Sequence, residues 1–198
     1  TVGHDDAINF RLMTMISVED PGLLLLGYHR QLEDASDDEL ARFREYVVGA
    51  FDLEDKGPID PTNAASFEEA LNAVPEDQVA IGFAGVEPGR LQIGVMRSPA
   101  PAADELAASD YTRLHNEVVR PTFNLEREQT VVAFEHNAVA VLRSVSAGAA
   151  QVGFVMRAVP IDPFEKIVTR GQRLPSKSTY FHPKLHTGAV IQRLEGEL

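Results

Sequence analysis

Cysteine is absent from this chain of 198 residues, and long apolar runs are absent too. Without cysteine, disulfide scaffolds, thiolate zinc sites and cysteine nucleophiles are excluded, and the composition fits a reducing compartment. The longest apolar run, around Leu23–Leu26, is far shorter than the roughly 20 residues that span a bilayer. The start of the chain, Thr1–Asp6, lacks signal-peptide character. We therefore expect a soluble, cytoplasmic protein with no membrane partner.

Basic residues are in short supply. Eighteen lysines and arginines face 30 acidic residues, which gives a net charge of −12. Such a field repels polyanions, so we expect no nucleic-acid partner. Charges are screened over about 8 Å at physiological salt, however, so a locally basic pocket can still attract a small anion. The net charge therefore does not exclude a small phosphorylated or carboxylated ligand.

The composition is otherwise that of a folded protein, with 44% apolar residues. Strand-like and helical patterns alternate along the chain, which indicates an α/β or α+β fold with a mixed β-sheet and flanking helices. The connector Pro99–Pro101 is the best internal boundary. We expect an N-terminal part, 1–98, with a strand pair and a hairpin, and a C-terminal part, 99–198, both within one compact unit.

Individual elements follow from periodicity and capping signals. Ser36 and Glu39 form a capping box that starts a helix from about residue 37 to 49. Apolar runs bounded by turn residues predict strands. The predicted strands are 9–18, 23–28, 78–83, 90–96, 130–134, 150–156 and 188–194, and the further predicted helices are 66–73, 103–119, 138–145 (helical or mixed) and 161–170. The acidic stretch 52–65 is predicted to be a loop.

The segment Leu174–Leu185, called the KST segment below, is the most informative part of the chain. It places lysines and hydroxyl groups between two prolines, which favour a stiff, extended connector. Charge-assisted hydrogen bonds to phosphate would come from these residues and from backbone amides. The predicted anion-binding residues here are Ser176, Lys177, Ser178, Thr179, Tyr180 and Lys184. The alternative is a polar surface loop that aromatic residues anchor to the core. Glycines at Walker spacing are missing.

A second candidate pair, His29 and Arg30, follows an apolar run. Residues at a strand end are well placed to face a crevice. Arg30 could clamp a phosphate or carboxylate, and His29 could act as a catalytic acid or base. The alternative for Arg30 is an ion pair with a surface neighbour such as Glu33.

Metal-binding patterns are weak. His182 and His186 stand four residues apart, but Pro183 between them makes a helical ligand pair improbable. Acidic residues at 54, 55 and 60 form a run of the kind that is usually solvated surface. We expect no metal site.

Several segments together resemble one bacterial family, catalogued as domain of unknown function 1015. They are Met13–Met15, Glu19–Leu23, Tyr28–Arg30, the KST segment and Gly188. The KST segment is similar to the family pattern PQKSTYFYPKL, and the earlier segments are similar to its DPGL and PTHR patterns. Gly27-Tyr28 stands where the family usually has proline-threonine, and His182 stands where tyrosine is common.

The resemblance implies that this chain corresponds to the C-terminal half of a typical family member. Family members carry an upstream aspartate-glycine-histidine-histidine-arginine box, similar to the phosphate-binding box of free-serine kinases, and this chain lacks it. The expected function is therefore to bind a phosphorylated or carboxylated metabolite or nucleotide as part of a small-molecule-kinase-like protein, with ATP or ADP and Mg²⁺ as cofactors. The alternative is a non-catalytic domain that docks on an N-terminal half. An N-terminal domain or a second copy of the chain is the expected protein partner.

Overall fold

The computed structural model describes residues 5–99, 104–193 and 195. Part of the predicted connector Pro99–Pro101 and the first residue of the predicted helix 103–119 lie outside the described residues. The chain divides into two compact units. The smaller unit falls within Thr1–Leu24 and Phe181–Leu198, and the larger unit is Leu25–Tyr180.

A six-stranded sheet forms the centre of the larger unit. Its strands are β2 (His29–Leu32), β3 (Phe51–Pro58), β4 (Ala80–Ala84), β5 (Arg90–Met96), β6 (Val132–Glu135) and β7 (Val152–Val155), and their order is β3-β5-β4-β7-β2-β6. All of the strand pairs described are antiparallel. Of the two predicted classes the fold is therefore α+β, with an antiparallel sheet rather than a mixed one. Residues 1–98 contribute four of these strands and residues 99–198 contribute two.

Helices cover both faces of this sheet. They are α1 (Asp37–Ala50), α2 (Ala64–Asn72), α3 (Glu105–Ala108), α4 (Asp110–Leu114), a π-helical turn (His115–Val119), α5 (Arg120–Thr122), α6 (Leu125–Val131), α7 (Ala138–Ser146) and α8 (Ile161–Thr169), with a short 3₁₀ turn at Pro61–Asn63. The predicted capping box is present, since Ser36 and Glu39 exchange side-chain to backbone hydrogen bonds. Gly171 ends α8 with a φ of 69°, as the αL position of a helix end requires.

The two faces of the sheet pack into separate apolar clusters. Leu40, Phe43 and Val47 of α1 pack on one face, together with residues of α4 and the π-helical turn. Edge-to-face contacts between Phe43 and Phe154 and between Phe154 and Phe83 continue that cluster along the sheet. The second cluster covers the other face and contains Phe67 and Leu71 of α2 and Leu142 of α7. Each side chain of a central strand therefore faces one of these two clusters.

Two predictions about the N-terminal part were wrong. Residues 10–17 form no regular element, and Met13 and Met15 are 73% and 84% exposed, so this run is no core strand. The next predicted strand shortens to β1 (Leu24–Leu26), which pairs with β8 (Tyr180–His182) in a two-stranded sheet. The predicted loop 52–65 instead begins with β3, an edge strand on which charged side chains can face water.

The smaller unit has little regular structure among its described residues. Ala7–Asn9 forms a 3₁₀ turn, and the amide of Gln192 donates to the carbonyl of Ala7 at 3.2 Å. No strand occurs in residues 188–193, where a strand to Leu194 was predicted. Leu194 lies outside the described residues.

Candidate functional site: two cavities on opposite faces of strand β2

Strand β2 sends the two predicted residues to opposite faces of the sheet. His29 pairs with Glu135 and Arg30 pairs with Phe134 of β6. Because successive side chains of a strand alternate between faces, His29 lies with the α2 and α7 side and Arg30 lies with the α1 and α4 side. The structure therefore does not bring His29 and Arg30 into one pocket.

Arg30 is buried, with 6% of its surface exposed. Its guanidinium donates to the carbonyl oxygen of Tyr28 at 3.1 Å and to that of Ser176 at 3.0 Å. It also lies over the rings of Tyr111 and Phe134, 4.8 and 5.4 Å from their centroids. Carbonyl dipoles and aromatic faces thus surround this cation.

The positive charge of Arg30 has no carboxylate partner. Among the described residues no acidic group lies within 4.0 Å of its guanidinium, so the alternative pairing with Glu33 is not formed. Burial lowers the pKa of Arg30 to about 10, and the group stays charged at neutral pH. Glu128 attracts this charge from beyond ion-pair distance, which partly offsets the effect of burial on the pKa of Arg30. The remaining cost of burying the charge must be compensated by other groups.

A cavity of about 560 Å³ opens beside Arg30, and we call it the Arg30 cavity. Its apolar walls come from Leu106, Leu114, Val119, Leu125, Val132, Phe134, Leu174 and Pro175, and its polar lining from Arg30, Thr112, His115, Asn116, Glu128, Gln129, Arg173 and Ser176. Glu128 lies 3.2 Å from His115, while no ion-pair partner of Arg173 is found in the described part of the chain. The lining therefore carries two arginines without ion-pair partners.

Two further features of the Arg30 cavity are unusual. The buried hydroxyl of Thr112 has no hydrogen-bond partner among the described residues. The π-helical turn His115–Val119 contributes three lining residues, and such turns occur frequently at functional sites. The Thr112 oxygen has almost no accessible surface, so leaving it without a partner has a free-energy cost within the protein interior.

His29 is held in one tautomer. Its ring is 3% exposed, and its Nδ1 accepts a hydrogen bond from the backbone amide of Met156 at 3.1 Å. Burial lowers its pKa to about 4, against the weaker opposing effect of Glu135. The neutral imidazole must then carry its proton on Nε2.

The Nε2 side of His29 lines a smaller cavity of about 180 Å³, called the His29 cavity. Glu68 and Asn72, one helical turn apart on α2, line it together with His136. The distance from His29 Nε2 to Glu68 Oε1 is 3.7 Å. Partial burial raises the pKa of Glu68. The cavity thus combines an imidazole donor with a carboxylate acceptor.

The KST segment divides into supporting and exposed residues. Ser178 is buried, and its hydroxyl donates to the carbonyl of Pro175 at 2.7 Å, which closes the turn. Tyr180 packs edge-to-face on Tyr28 and stacks on His136, with centroid distances of 5.8 and 5.1 Å. The segment is therefore anchored by aromatic residues, as its alternative interpretation expected.

The remaining KST residues are differently placed. Lys177 is exposed, with a φ of 56°, and its ammonium lies 5.4 Å from the Tyr28 ring centroid. Ser176 is exposed and lines the Arg30 cavity, while Thr179 is half-buried and lines a separate groove with Lys177 and Ser178. Lys184 is exposed and belongs to the smaller unit. Of the six predicted residues, the five that lie in the larger unit do not all line one cavity.

Sequence reasoning missed the aromatic and polar partners from α4 and β6. The sequence predicts Tyr111 only as part of the helix 103–119, yet its hydroxyl accepts from the Tyr28 amide at 3.0 Å and donates to the Arg157 carbonyl at 2.8 Å. It predicts Phe134 only as part of the strand 130–134. No signal in the sequence marks either residue as a neighbour of Arg30.

The acidic and histidine side chains form no cluster typical of a metal site in the described part of the chain. Within the described ranges no group of three or more histidine, aspartate or glutamate side chains is arranged to hold a metal ion. Asp55, from the acidic stretch, forms an ion pair with Arg90, and Asp60 accepts from Thr62. No described helix is long and apolar enough to cross a membrane.

The chain was compared with protein-family models, with curated proteins and with solved structures, and only solved structures gave matches. No protein-family model and no curated protein matches the chain, and the resemblance to domain of unknown function 1015 stays a prediction. Three similar solved structures are a conserved hypothetical protein from Pyrococcus furiosus, free serine kinase in complex with AMP and a mutant of free serine kinase in complex with ADP. Their identities are 13%, 10% and 11%, and their TM-scores 0.48, 0.49 and 0.49. Each match covers 85% of this chain but only 57–60% of the other structure.

Proposed function

We propose that the chain binds a small phosphorylated or carboxylated metabolite or a nucleotide, and that the Arg30 cavity holds its anionic group. The observation that carries this proposal is the buried guanidinium of Arg30, which has no carboxylate partner and lines a cavity of about 560 Å³. An anion would add a counter-charge at closer range than Glu128, whose carboxylate forms no ion pair with Arg30. Arg30 uses two donors for protein carbonyls, and a guanidinium has five.

The rest of the lining fits an organic anion better than a bare ion. Arg173 adds a second positive charge. The apolar walls can bury the uncharged part of a metabolite, as ligand cavities of this size commonly do. A nucleotide such as ATP or ADP has both parts, and any Mg²⁺ is proposed only as a companion of its phosphates.

A role in a small-molecule-kinase-like protein rests on the resemblance described above. His29 lies on the opposite face of the sheet from Arg30, so our proposal for the Arg30 cavity is binding and not catalysis. The expected N-terminal domain or second copy of the chain stays a prediction, as does the alternative function in which the KST segment docks on that partner.

Isothermal titration calorimetry with phosphate, phosphoserine, ADP and ATP tests the proposal. We expect at least one of them to bind the wild-type chain. Arg30→Gln should weaken binding about 10- to 100-fold, because a hydrogen bond to a charged group contributes about 1.5–3 kcal/mol. Arg143→Gln removes the same charge from an exposed position on α7 that lines neither cavity, and should leave affinity unchanged.

A second variant guards against misfolding. Circular dichroism should show the same secondary structure for Arg30→Gln and wild type. If it does not, Arg173→Gln replaces it, since Arg173 is exposed and lines the same cavity, and it should weaken binding in a salt-dependent way. No binding at millimolar concentration would overturn the proposal. The docking alternative would instead be supported if Lys177→Ala weakened association with an N-terminal half and left the affinity for the anion unchanged.

A further inference from the structure

The His29 cavity contains a hydrogen-bond donor that the protein itself does not use. Nδ1 of His29 accepts from the Met156 amide, so the neutral ring carries its proton on Nε2. In the described part of the chain no acceptor lies within hydrogen-bond distance of Nε2, and Glu68 stands outside that range at 3.7 Å. Nε2 is accessible from the cavity, so its N–H is available to solvent or to a ligand there.

Glu68 supplies the matching acceptor. Its carboxylate is 41% exposed and sits on α2, across the cavity from His29. An oxygen atom can stand within about 2.8 Å of both His29 Nε2 and Glu68 Oε1, because these atoms are 3.7 Å apart. Such an atom would accept from Nε2–H and donate to the carboxylate. A hydroxyl group is both acceptor and donor.

The surroundings restrict what could carry that oxygen. The cavity holds about 180 Å³, which is the volume of about six liquid waters. Leu26, Leu71 and Met156 line it beside the polar groups. Glu135 lies across the strand pair from His29 on the same face, so two carboxylates disfavour an anion there. A neutral ligand of a few heavy atoms fits this space and charge.

We propose that the His29 cavity is a second binding site, in which a small alcohol or polyol places its hydroxyl group between His29 and Glu68. This inference is independent of anion binding in the Arg30 cavity, because the two cavities share no lining residue. The hydroxyl accepts from Nε2–H of His29 and donates to Glu68. Asn72 adds an amide at the open side.

Nuclear magnetic resonance of ¹⁵N-histidine-labelled protein tests this site directly. The wild-type chain should show His29 as a neutral ring protonated on Nε2. Titration with ethylene glycol should shift its Nε2 signal with a millimolar dissociation constant. The ether 1,2-dimethoxyethane can accept from His29 but has no proton for Glu68, and should bind about tenfold more weakly or less.

Two variants assign the effect to named groups. Glu68→Gln should weaken ethylene glycol binding about tenfold, while Glu69→Gln, which makes the same charge change at the neighbouring exposed position, should not. His29→Asn keeps an acceptor for the Met156 amide and removes the Nε2 donor, so it should fold and fail to bind. If His29→Asn does not fold, the Glu68 and Glu69 pair carries the test.

The outcomes are distinct. A shift of the His29 signal that Glu68→Gln reduces and Glu69→Gln leaves intact supports the site. Unchanged imidazole signals at the highest ethylene glycol concentration would mean that water alone occupies the cavity, and would overturn it. Equal responses to ethylene glycol and its dimethyl ether would also overturn it, because the hydroxyl would then have no role.

Discussion

The His29 cavity and the Arg30 cavity are built from consecutive residues of one strand, yet they offer opposite chemistry. On one face a neutral imidazole points at a carboxylate in a small space. On the other face a cation that forms no ion pair with a described carboxylate lines a space about three times as large. The difference shows that the alternation of a strand can place two neighbouring residues in opposite chemical environments. Four predictions test that separation, in order of expected effect.

The largest effect is a pH dependence that belongs to His29. Its pKa is about 4 in the folded chain and 6.5 for an unperturbed histidine. Between these values the unfolded chain takes up a proton that the folded chain does not, so the stability falls as the pH falls from 6.5 to 4. Relative to His29→Asn, the wild-type free energy of unfolding should fall by up to about 3 kcal/mol over this range. Urea unfolding of both proteins measures it, and parallel pH profiles would contradict it.

A smaller effect is expected on the Arg30 side from Tyr111→Phe. The substitution keeps the ring beneath Arg30 but removes the hydroxyl that serves the Tyr28 amide and the Arg157 carbonyl. Leaving these buried groups unpaired should cost about 2 kcal/mol. Tyr46→Phe, at a 41% exposed tyrosine, is the matched control and should be neutral. Equal losses in the two variants would show that the Tyr111 hydroxyl does not organise this side.

Ser178→Ala tests whether the KST segment is mainly a support. The variant loses the hydrogen bond to the Pro175 carbonyl, and the free energy of unfolding should fall by about 1 kcal/mol. Ser176→Ala, two residues away and exposed, should change stability much less. Thermal unfolding of both variants measures the difference. The interpretation fails if Ser178→Ala abolishes anion binding while the fold and its stability are preserved.

The smallest effect is expected at Lys177. Because its ammonium is exposed to solvent and salt, Lys177→Gln should weaken anion binding less than about threefold. Calorimetry with the anion that binds wild type best provides the measurement. If Lys177→Gln weakened binding as much as Arg30→Gln, the anion would contact the KST segment as well as Arg30, and the exposed ammonium would be part of the site.

The elements that the sequence predicts well are those with local signals. The helix after Ser36 has its capping box, and the hairpin of β4 and β5 has apolar strands around a glycine-rich turn. The errors fall where the deciding interactions are distant. Strand β3 reads as a loop because it is charged and contains Gly57 and Pro58, yet an edge strand tolerates all three features.

The candidate site shows the same limit. Its two central residues, His29 and Arg30, were predicted from their position near an apolar run. The sequence does not predict that His29 and Arg30 lie on opposite faces of the sheet. The predicted strand 23–28 ends before them, and the alternation of a strand specifies no side-chain direction beyond its end. Tyr111 and Phe134 reach Arg30 only through tertiary packing. No spacing rule within the sequence could connect residues so far apart.

The hydrogen bond from Arg30 to the carbonyl of Ser176 joins residues separated by 146 positions. A contact of such long range forms only after the loop between its ends has closed, at an entropic cost that the rest of the sheet must already have offset. The lining of the Arg30 cavity is therefore complete only when residues from both ends of the larger unit have come together. A nascent chain that ends before Ser176 cannot form that lining.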